Sequence, residues 1–162
     1  VAATAPDGTY TFTQDDLLEG NYPVSAKVDE WWPVNTDIDL GNRSIQVVNI
    51  PGHTDESAMI VDYDNHMMFM GDYIYNGEIF VFGEPNLAVY EVTVDMLIAT
   101  YDSSYAMYGA HGSPLVPHSD LQGLKDLLEC IASAACTGES LVVWGYPAKY
   151  YSLGGMALLL FL

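Results

Sequence analysis

The sequence predicts a layered α/β fold, with a mixed sheet and flanking helices, in one domain of residues 1–162. Short strand patterns and amphipathic helix patterns alternate along the chain, which favours sheet and helices packed in layers. The composition is that of a globular protein, with 50% hydrophobic and 12% aromatic residues. A chain of this length can bury a sizeable core, so no second domain is needed to explain it.

The first segment, residues 1–36, is only weakly patterned. Residues 9–13 alternate polar and aromatic side chains like a short strand after the turn signal Asp7-Gly8. Pro23 and Pro33 interrupt the chain after that strand. We therefore expect loops and short elements here, whose few apolar residues need a partner surface.

Strand signals become strong from residue 37 onward. Residues 37–40 and 44–50 are predicted to form a hairpin around a Gly-Asn turn. Residues 57–63 and 66–70 form a second predicted hairpin around an Asp-Asn turn. Both of its strands are almost continuously apolar, which is typical of a sheet covered on both faces.

A helix pattern follows these hairpins. Val94, Leu97, Ile98 and Tyr101 fall on one helical face, and Thr93 is the predicted N-cap of that helix. Helical spacing of this kind buries one face against a sheet, so the helix fits the layered fold.

A second and longer helix is predicted for residues 120–135, because its leucines, isoleucine and alanine line one face. Strands are predicted for residues 104–108 before this helix, and for residues 141–144 and 150–161 after it. The order of strands and helices therefore stays mixed to the end of the sequence.

The charge of the chain is strongly negative. Four Lys and Arg residues oppose 22 Asp and Glu residues, which gives a formal net charge of −18. Such a surface repels phosphates, so we expect no nucleic-acid partner. The longest apolar run has seven residues and cannot cross a bilayer as a helix, so we expect a soluble protein with no membrane partner. A secreted or periplasmic location and a saline environment both stay open.

Two cysteines, Cys130 and Cys136, lie near the end of the second predicted helix. If the helix ran through both, they would lie on roughly opposite faces and could not form a bridge. If the helix ended between them, a disulfide could form. We expect two buried thiols, since free cysteine is often buried as a small hydrophobic residue.

Three chemically active residues follow the ends of predicted strands. His53, Asp72 and His111 each come directly after a strand and next to a glycine, where the backbone can turn sharply. Loops at the strand ends of a layered sheet converge on one rim. Each residue alone is more often an ordinary turn residue, but two histidines and one aspartate together suit a zinc or iron site.

The surroundings of these residues resemble the metallo-β-lactamase-fold hydrolases. Residues 40–54 end in Pro-Gly-His-Thr, which is similar to a ligand loop of that family. Residues 67–72 are similar to its apolar strand followed by Gly-Asp, and residues 108–112 to its Gly-x-His-Gly loop. The resemblance implies half of an αββα sandwich, with residues 37–162 as its C-terminal half.

The resemblance also implies roles for the three residues. His53 would bind a first metal ion, Asp72 would bridge two metal ions as the catalytic carboxylate, and His111 would bind the second. The expected cofactor is zinc, with iron or manganese as alternatives, at partial occupancy or none. Family members use metal-activated water to attack an ester, thioester, lactam or phosphoester.

One departure from the family weakens the expectation of activity. The chain has four histidines and contains no His-x-His-x-Asp-His cluster, which supplies the family's first ligands. His66 and His118 could serve as substitutes, although we expect both to be surface residues. The sequence thus predicts a truncated or split metal-dependent hydrolase that is weak or inactive alone.

The alternative function is a non-catalytic α/β binding or oligomerisation domain derived from that fold. Half a sandwich leaves one sheet face open, and large apolar surfaces do not stay exposed. We therefore expect a homo-oligomer, or a complementing chain that covers this face. An unrelated enzyme is disfavoured, because the sequence has no serine-nucleophile elbow, phosphate loop or dinucleotide fingerprint.

Overall fold

The computed structural model describes residues 34–162 and, before them, the backbone of two short strands. These are β1 (Thr9–Thr11) and β2 (Ser25–Lys27), which pair antiparallel. The predicted strand over residues 9–13 therefore exists, although its last two residues lie outside the described residues, as do the predicted turn and prolines around it. Contacts divide the chain into residues 1–33 and 34–162, and the assignment to one domain stays a prediction.

The larger sheet of the second unit has six strands. Its neighbours all run antiparallel except for one parallel pair, β6 with β8. The strands follow one another across the sheet in the order β3 (Asp37–Asp39), β4 (Ser44–Asn49), β5 (Ala58–Asp62), β6 (Met67–Gly71), β8 (Ala106–Gly109) and β9 (Leu115–Val116).

A second sheet has four strands, in the order β10 (Glu139–Val143), β11 (Tyr146–Leu153), β12 (Met156–Phe161) and β7 (Glu78–Phe82). Only β12 and β7 are parallel. The sequence patterns predicted neither β7 nor β9. β9 has two residues, and β7 lies between a loop and a helix with no strand partner nearby in the sequence.

Two helices complete the part of the fold that the structure describes, α1 (Pro85–Thr100) and α2 (Ser119–Ala132). Neither helix of the described chain has both the length and the apolar character needed to cross a membrane. The predicted N-cap Thr93 is wrong, because α1 begins at Pro85 and Thr93 lies inside it. Its hydroxyl donates to the carbonyl oxygen of Pro51 at 2.8 Å and so ties the helix to the sheet.

One hydrophobic core joins both helices to one face of each sheet. Met68 of β6, Leu97 of α1, Leu124 of α2 and Leu158 of β12 are all completely buried in it. A β-carbon at Gly123 of α2 would lie 2.9 Å from Met156, so the glycine allows the helix to pack closely on β12. The layered α/β fold predicted from the sequence is confirmed.

The second hairpin, β5 with β6, is covered on one face only. Phe69 of β6 is 46% exposed and stacks on Tyr108 of β8 with ring centroids 5.4 Å apart. The expectation of a sheet covered on both faces is therefore wrong for this hairpin. An apolar run did not distinguish a buried face from an open one.

The two cysteines form a disulfide, which corrects the expectation of buried thiols. α2 ends at Ala132, between Cys130 and Cys136, and the chain turns back so that their Cα atoms are 5.2 Å apart. Ala134 has a φ of 57°, in the left-handed region, and makes this reversal. The helix boundary, which the sequence placed three residues too late, decided the outcome.

Replacing both Cys130 and Cys136 by alanine should lower the free energy of unfolding by about 2 kcal/mol. A bridge across so short a loop restricts the unfolded chain by about that amount. Denaturant unfolding of the wild-type protein and the double variant measures the difference. Reductant should destabilise the wild-type protein and leave the variant unchanged; an equal response of both would contradict the prediction.

Candidate functional site

Three loops at one edge of the six-stranded sheet carry the predicted ligands. Since β4 is antiparallel to β5 and β5 to β6, β4 runs in the same direction as β6 and β8. The carboxyl ends of these three strands therefore share an edge. His53 follows β4, Asp72 follows β6 and His111 follows β8, so the topology delivers all three residues to the same place.

The carboxylate of Asp72 lies between the two imidazoles. Its Oδ1 is 3.0 Å from Nε2 of His111, and its Oδ2 is 3.7 Å from Nε2 of His53. His53 is largely buried, whereas His111 is exposed. The convergence expected from the sequence is thus present, while the role of the three residues as metal ligands stays a prediction.

A backbone carbonyl orients the ring of His53. Nδ1 of His53 lies 2.8 Å from the carbonyl oxygen of Phe80 in β7. Because a carbonyl can only accept, Nδ1 must carry a proton, and in the neutral ring the lone pair of Nε2 lies on the side of Asp72. This is the tautomer that a metal-binding histidine needs.

A buried pair of tyrosines fixes the loops of His53 and Asp72. Tyr73, next to Asp72, and Tyr90 of α1 stack at 4.5 Å, and each hydroxyl donates to the backbone carbonyl of the other. Burial raises the pKa of both hydroxyls, so both remain donors. A β-carbon on Gly52 would lie 2.7 Å from the Tyr90 ring, and the φ of Gly52 is 147°, so only glycine fits beside His53.

The loop of His111 is tied to the loop of Asp72 as well. The amide of Asn76 donates to the carbonyl oxygens of Ser113 and Leu115 at 2.7 and 2.9 Å. A β-carbon on Gly112 would lie 2.2 Å from the carbonyl oxygen of Asn76, so the two backbones touch. The residues 72–76 therefore hold the third loop in place.

Tyr75 links the two halves of this arrangement. Its ring meets His111 edge-on at 4.9 Å, and its hydroxyl donates to the carbonyl oxygen of Glu78. Burial raises the pKa of this hydroxyl, and the charge of Asp72 raises it further. Tyr75 therefore acts as a neutral wall of the site.

A cavity of about 420 Å³ opens beside the three predicted ligands. Tyr75, Phe80 and Trp144 are among its lining residues. The sequence patterns predicted none of these three, since none belongs to a motif and Trp144 comes from a distant part of the chain. Its proposed substitutes, His66 and His118, lie elsewhere: His66 stacks on Tyr105, and His118 bonds the carbonyl oxygen of Tyr101.

The donor atoms are of the kinds that bind a metal ion, but their spacing is not that of a metal site. Two imidazole nitrogens and a carboxylate are a common zinc donor set. Within residues 34–162, however, no group of three or more His, Cys, Asp or Glu side chains is arranged as a site that could hold a metal ion. The residues therefore fit zinc in chemistry and supply only part of a coordination shell.

The fold and this site together define a class: layered α/β domains whose polar residues gather in loops at one sheet edge. The chain belongs to the metallo-beta-lactamase superfamily, whose family model matches residues 2–134. The resemblance inferred from the three loop motifs is thereby confirmed. No curated protein matches the chain.

Two solved structures illustrate the likeness of fold. A metallo-beta-lactamase from Pontibacter korlensis is 18% identical, with a TM-score of 0.53 over 64% of this chain and 50% of its own. A beta-lactamase domain protein from Burkholderia ambifaria is 18% identical, with a TM-score of 0.56 over 72% of this chain and 37% of its own. The chain thus spans half or less of these relatives.

Replacing Tyr90 by phenylalanine should lower the free energy of unfolding by about 1–3 kcal/mol, because a buried carbonyl loses its donor. Tyr146→Phe is the matched control, since Tyr146 is largely exposed and the same change there should cost less than about 0.5 kcal/mol. Denaturant unfolding measures both. Equal effects of the two changes would show that the tyrosine pair does not fix the loops.

Proposed function

We propose that the chain contributes His53, Asp72 and His111 to the site of a metal-dependent hydrolase. The observation that carries the proposal is the Asp72 carboxylate, whose two oxygens each face Nε2 of a different histidine at 3.0 and 3.7 Å. Membership of the superfamily supports it. The expected metal is zinc, with iron or manganese as alternatives.

The residues around this carboxylate have separate tasks in the proposed reaction. A bound zinc ion would supply Lewis acidity and lower the pKa of water, which makes hydroxide available near neutral pH. Asp72 contacts His111 at 3.0 Å and lies beside His53, and it would serve as the catalytic carboxylate. Tyr75 and Phe80 exclude water from one side of the cavity.

The ligand set that the family resemblance implies is incomplete in this sequence. The four histidines include no His-x-His-x-Asp-His cluster, and His66 and His118 lie away from the cavity. We infer that another segment or another chain supplies the missing ligands, and that this sequence alone has weak activity or none.

Zinc should bind to this chain weakly and below one ion per chain, and the binding should depend on the three proposed ligands. His53→Ala, Asp72→Asn and His111→Ala should each weaken zinc affinity by about tenfold or more. Calorimetric titration against a competing chelator measures the affinity.

His66→Asn is the matched control for these titrations. It removes an imidazole remote from the cavity, and asparagine tolerates the φ of 51° found at His66. Zinc affinity should be unchanged. A loss as large as that of His53→Ala would mean that the proposed ligands are wrong.

A second candidate function is assembly without catalysis, and one surface favours it. On the six-stranded sheet, Val47, Ile60, Phe69, Tyr108 and Leu115 are in register on neighbouring strands and share one face. Phe69 and Leu115 are 46% and 56% exposed. An apolar row of this kind favours a second copy or a complementing chain packed against it.

The double variant Phe69→Ser/Leu115→Ser should sediment as a monomer, and the wild-type chain as a dimer. Val92→Ser, at an exposed apolar position on α1, is the control and should stay dimeric. Sedimentation velocity measures the mass. A monomeric wild-type chain that binds a full complement of zinc would overturn the assembly function and the incomplete site together.

The disulfide between Cys130 and Cys136 supports an oxidising location for this activity. Bridges of this kind form and persist outside the reducing cytosol. We therefore favour secretion or the periplasm.

A further inference from the structure

We propose that the cavity binds an uncharged ester with an aromatic group, held on an aromatic wall formed by Phe80, Phe82, Trp144 and Phe161. This names the substrate class for the proposed function and rests on it. The ester group would face Asp72, and the aromatic group would lie along the wall toward Trp144.

The aromatic wall runs without a gap from the proposed ligands to the surface. Phe82 meets the ring of His53 edge-on at 5.4 Å and stacks on Phe161 at 5.1 Å. Trp144 stacks on Phe161 at 5.9 Å and meets Phe80 edge-on at 5.4 Å. Offset-stacked and edge-on rings are the geometries that bind a further aromatic ring well.

A second cavity of about 220 Å³ extends this wall on the far side of Trp144. Phe82 and Trp144 line both cavities, and Tyr146 and Phe161 line the second one. The two cavities therefore meet at the same rings, which gives an aromatic group a continuous apolar path. Trp144 itself is 71% exposed, so its face is accessible to a ligand.

The strained backbone conformation at Trp144 supports a functional role for its side chain. Trp144 and Gly145 form the two-residue turn between the paired residues Val143 and Tyr146, with φ values of 52° and 87°. Such a turn favours asparagine or glycine at its first position, and a bulky residue there is strained. Strain of this kind gathers at binding sites.

The wall combines residues inside and outside the region that matches the family model. Phe80 and Phe82 lie inside the region that matches the family model, residues 2–134, whereas Trp144 and Phe161 lie beyond it. The aromatic wall is therefore a feature of this chain and does not follow from family membership.

The charges around the cavity select against anionic substrates. Asp72 and Glu78 line it, and none of the Lys and Arg side chains that the structure describes does. Of the cations whose side chains the structure describes, Arg43 pairs with Asp62 and Lys125 with Asp95. The third, Lys149, alternates with Ala148 and Tyr150 along β11 and so lies on the opposite face from Phe161.

This charge pattern narrows the substrates that the superfamily fold could serve. A phosphoester or a lactam with a carboxylate would bring an anion beside Glu78, and apart from a metal ion bound at Asp72 no described cation would hold it. A neutral ester avoids that cost. Its hydrolysis adds water across the acyl–oxygen bond and gives an alcohol, a proton and a carboxylate, and the same charges then favour release of the carboxylate.

Binding of a matched pair of compounds tests the proposal without relying on catalysis. The probes are 2-naphthylacetamide, which is neutral, and 2-naphthylacetate, which has the same ring and a negative charge. Titrations use the full chain with a chelator present, so that no metal contributes. The amide should bind at least about tenfold more tightly than the acid.

Trp144→Asn is the decisive variant, because Asn-Gly is a preferred pair in this type of turn and should keep the hairpin folded. It should weaken amide binding by about tenfold or more. The control is Val142→Ala, at an equally exposed apolar position outside both cavities, and it should leave binding unchanged. Unfolding curves and zinc affinity, which Trp144→Asn should leave unchanged, verify that the fold is intact.

The outcomes separate this inference from the proposed function. Failure of zinc to bind, together with selective amide binding, would remove the hydrolase and leave the aromatic subsite. Acid binding as tight as amide binding, or no effect of Trp144→Asn, overturns the subsite. A change in sedimenting mass with Trp144→Asn, without amide binding, would show that the wall contacts another copy of the chain and also overturns it.

Discussion

The arrangement of the site depends on the reciprocal hydrogen bonds between Tyr73 and Tyr90. Two buried hydroxyls would be costly if left without partners, and each finds the backbone carbonyl of the other. Within residues 34–162 no buried side-chain polar atom lacks a partner. The pair therefore joins α1 to the loop of Asp72, while the Tyr90 ring fills the space beside Gly52. Two of the three loops are positioned by one aromatic contact, which is a form of preorganisation.

The negative charge of the chain is also a property of the candidate site. With a formal net charge of −18 the chain has few cationic side chains. Two of those that the structure describes, Arg43 and Lys125, are paired with carboxylates. The cavity thus combines two carboxylates, Asp72 and Glu78, with aromatic side chains. An aromatic group gains stacking contacts with these rings, whereas the carboxylates favour cations and neutral groups over anions. Recognition here would depend on ring contacts, with charge acting mainly by exclusion.

The sequence predicted those parts of the site that depend on local signals. His53, Asp72 and His111 could be found because each follows a strand and adjoins a glycine, and the chain topology brings such positions together. Thr93 was misplaced because apolar residues also occur off the stripe in the first half of α1, so that the pattern did not mark where the helix begins. The orientation of His53 by Phe80 and the contribution of Trp144 depend on contacts between distant residues, for which no short pattern exists. The disulfide depended on a helix boundary, the least certain feature that a pattern predicts.

The parallel pairing of β7 with β12 has a consequence for the order of folding. β7 carries the carbonyl that orients His53, and its only described neighbour in the sheet is β12, which is made much later during synthesis. Until then β7 presents an unpaired edge and apolar side chains that a nascent chain must keep from other partners. Contacts across so long a stretch of chain also form slowly. We therefore expect His53 to acquire its final orientation late in folding, and a chain whose synthesis stopped before β12 to expose β7 beside an incomplete site.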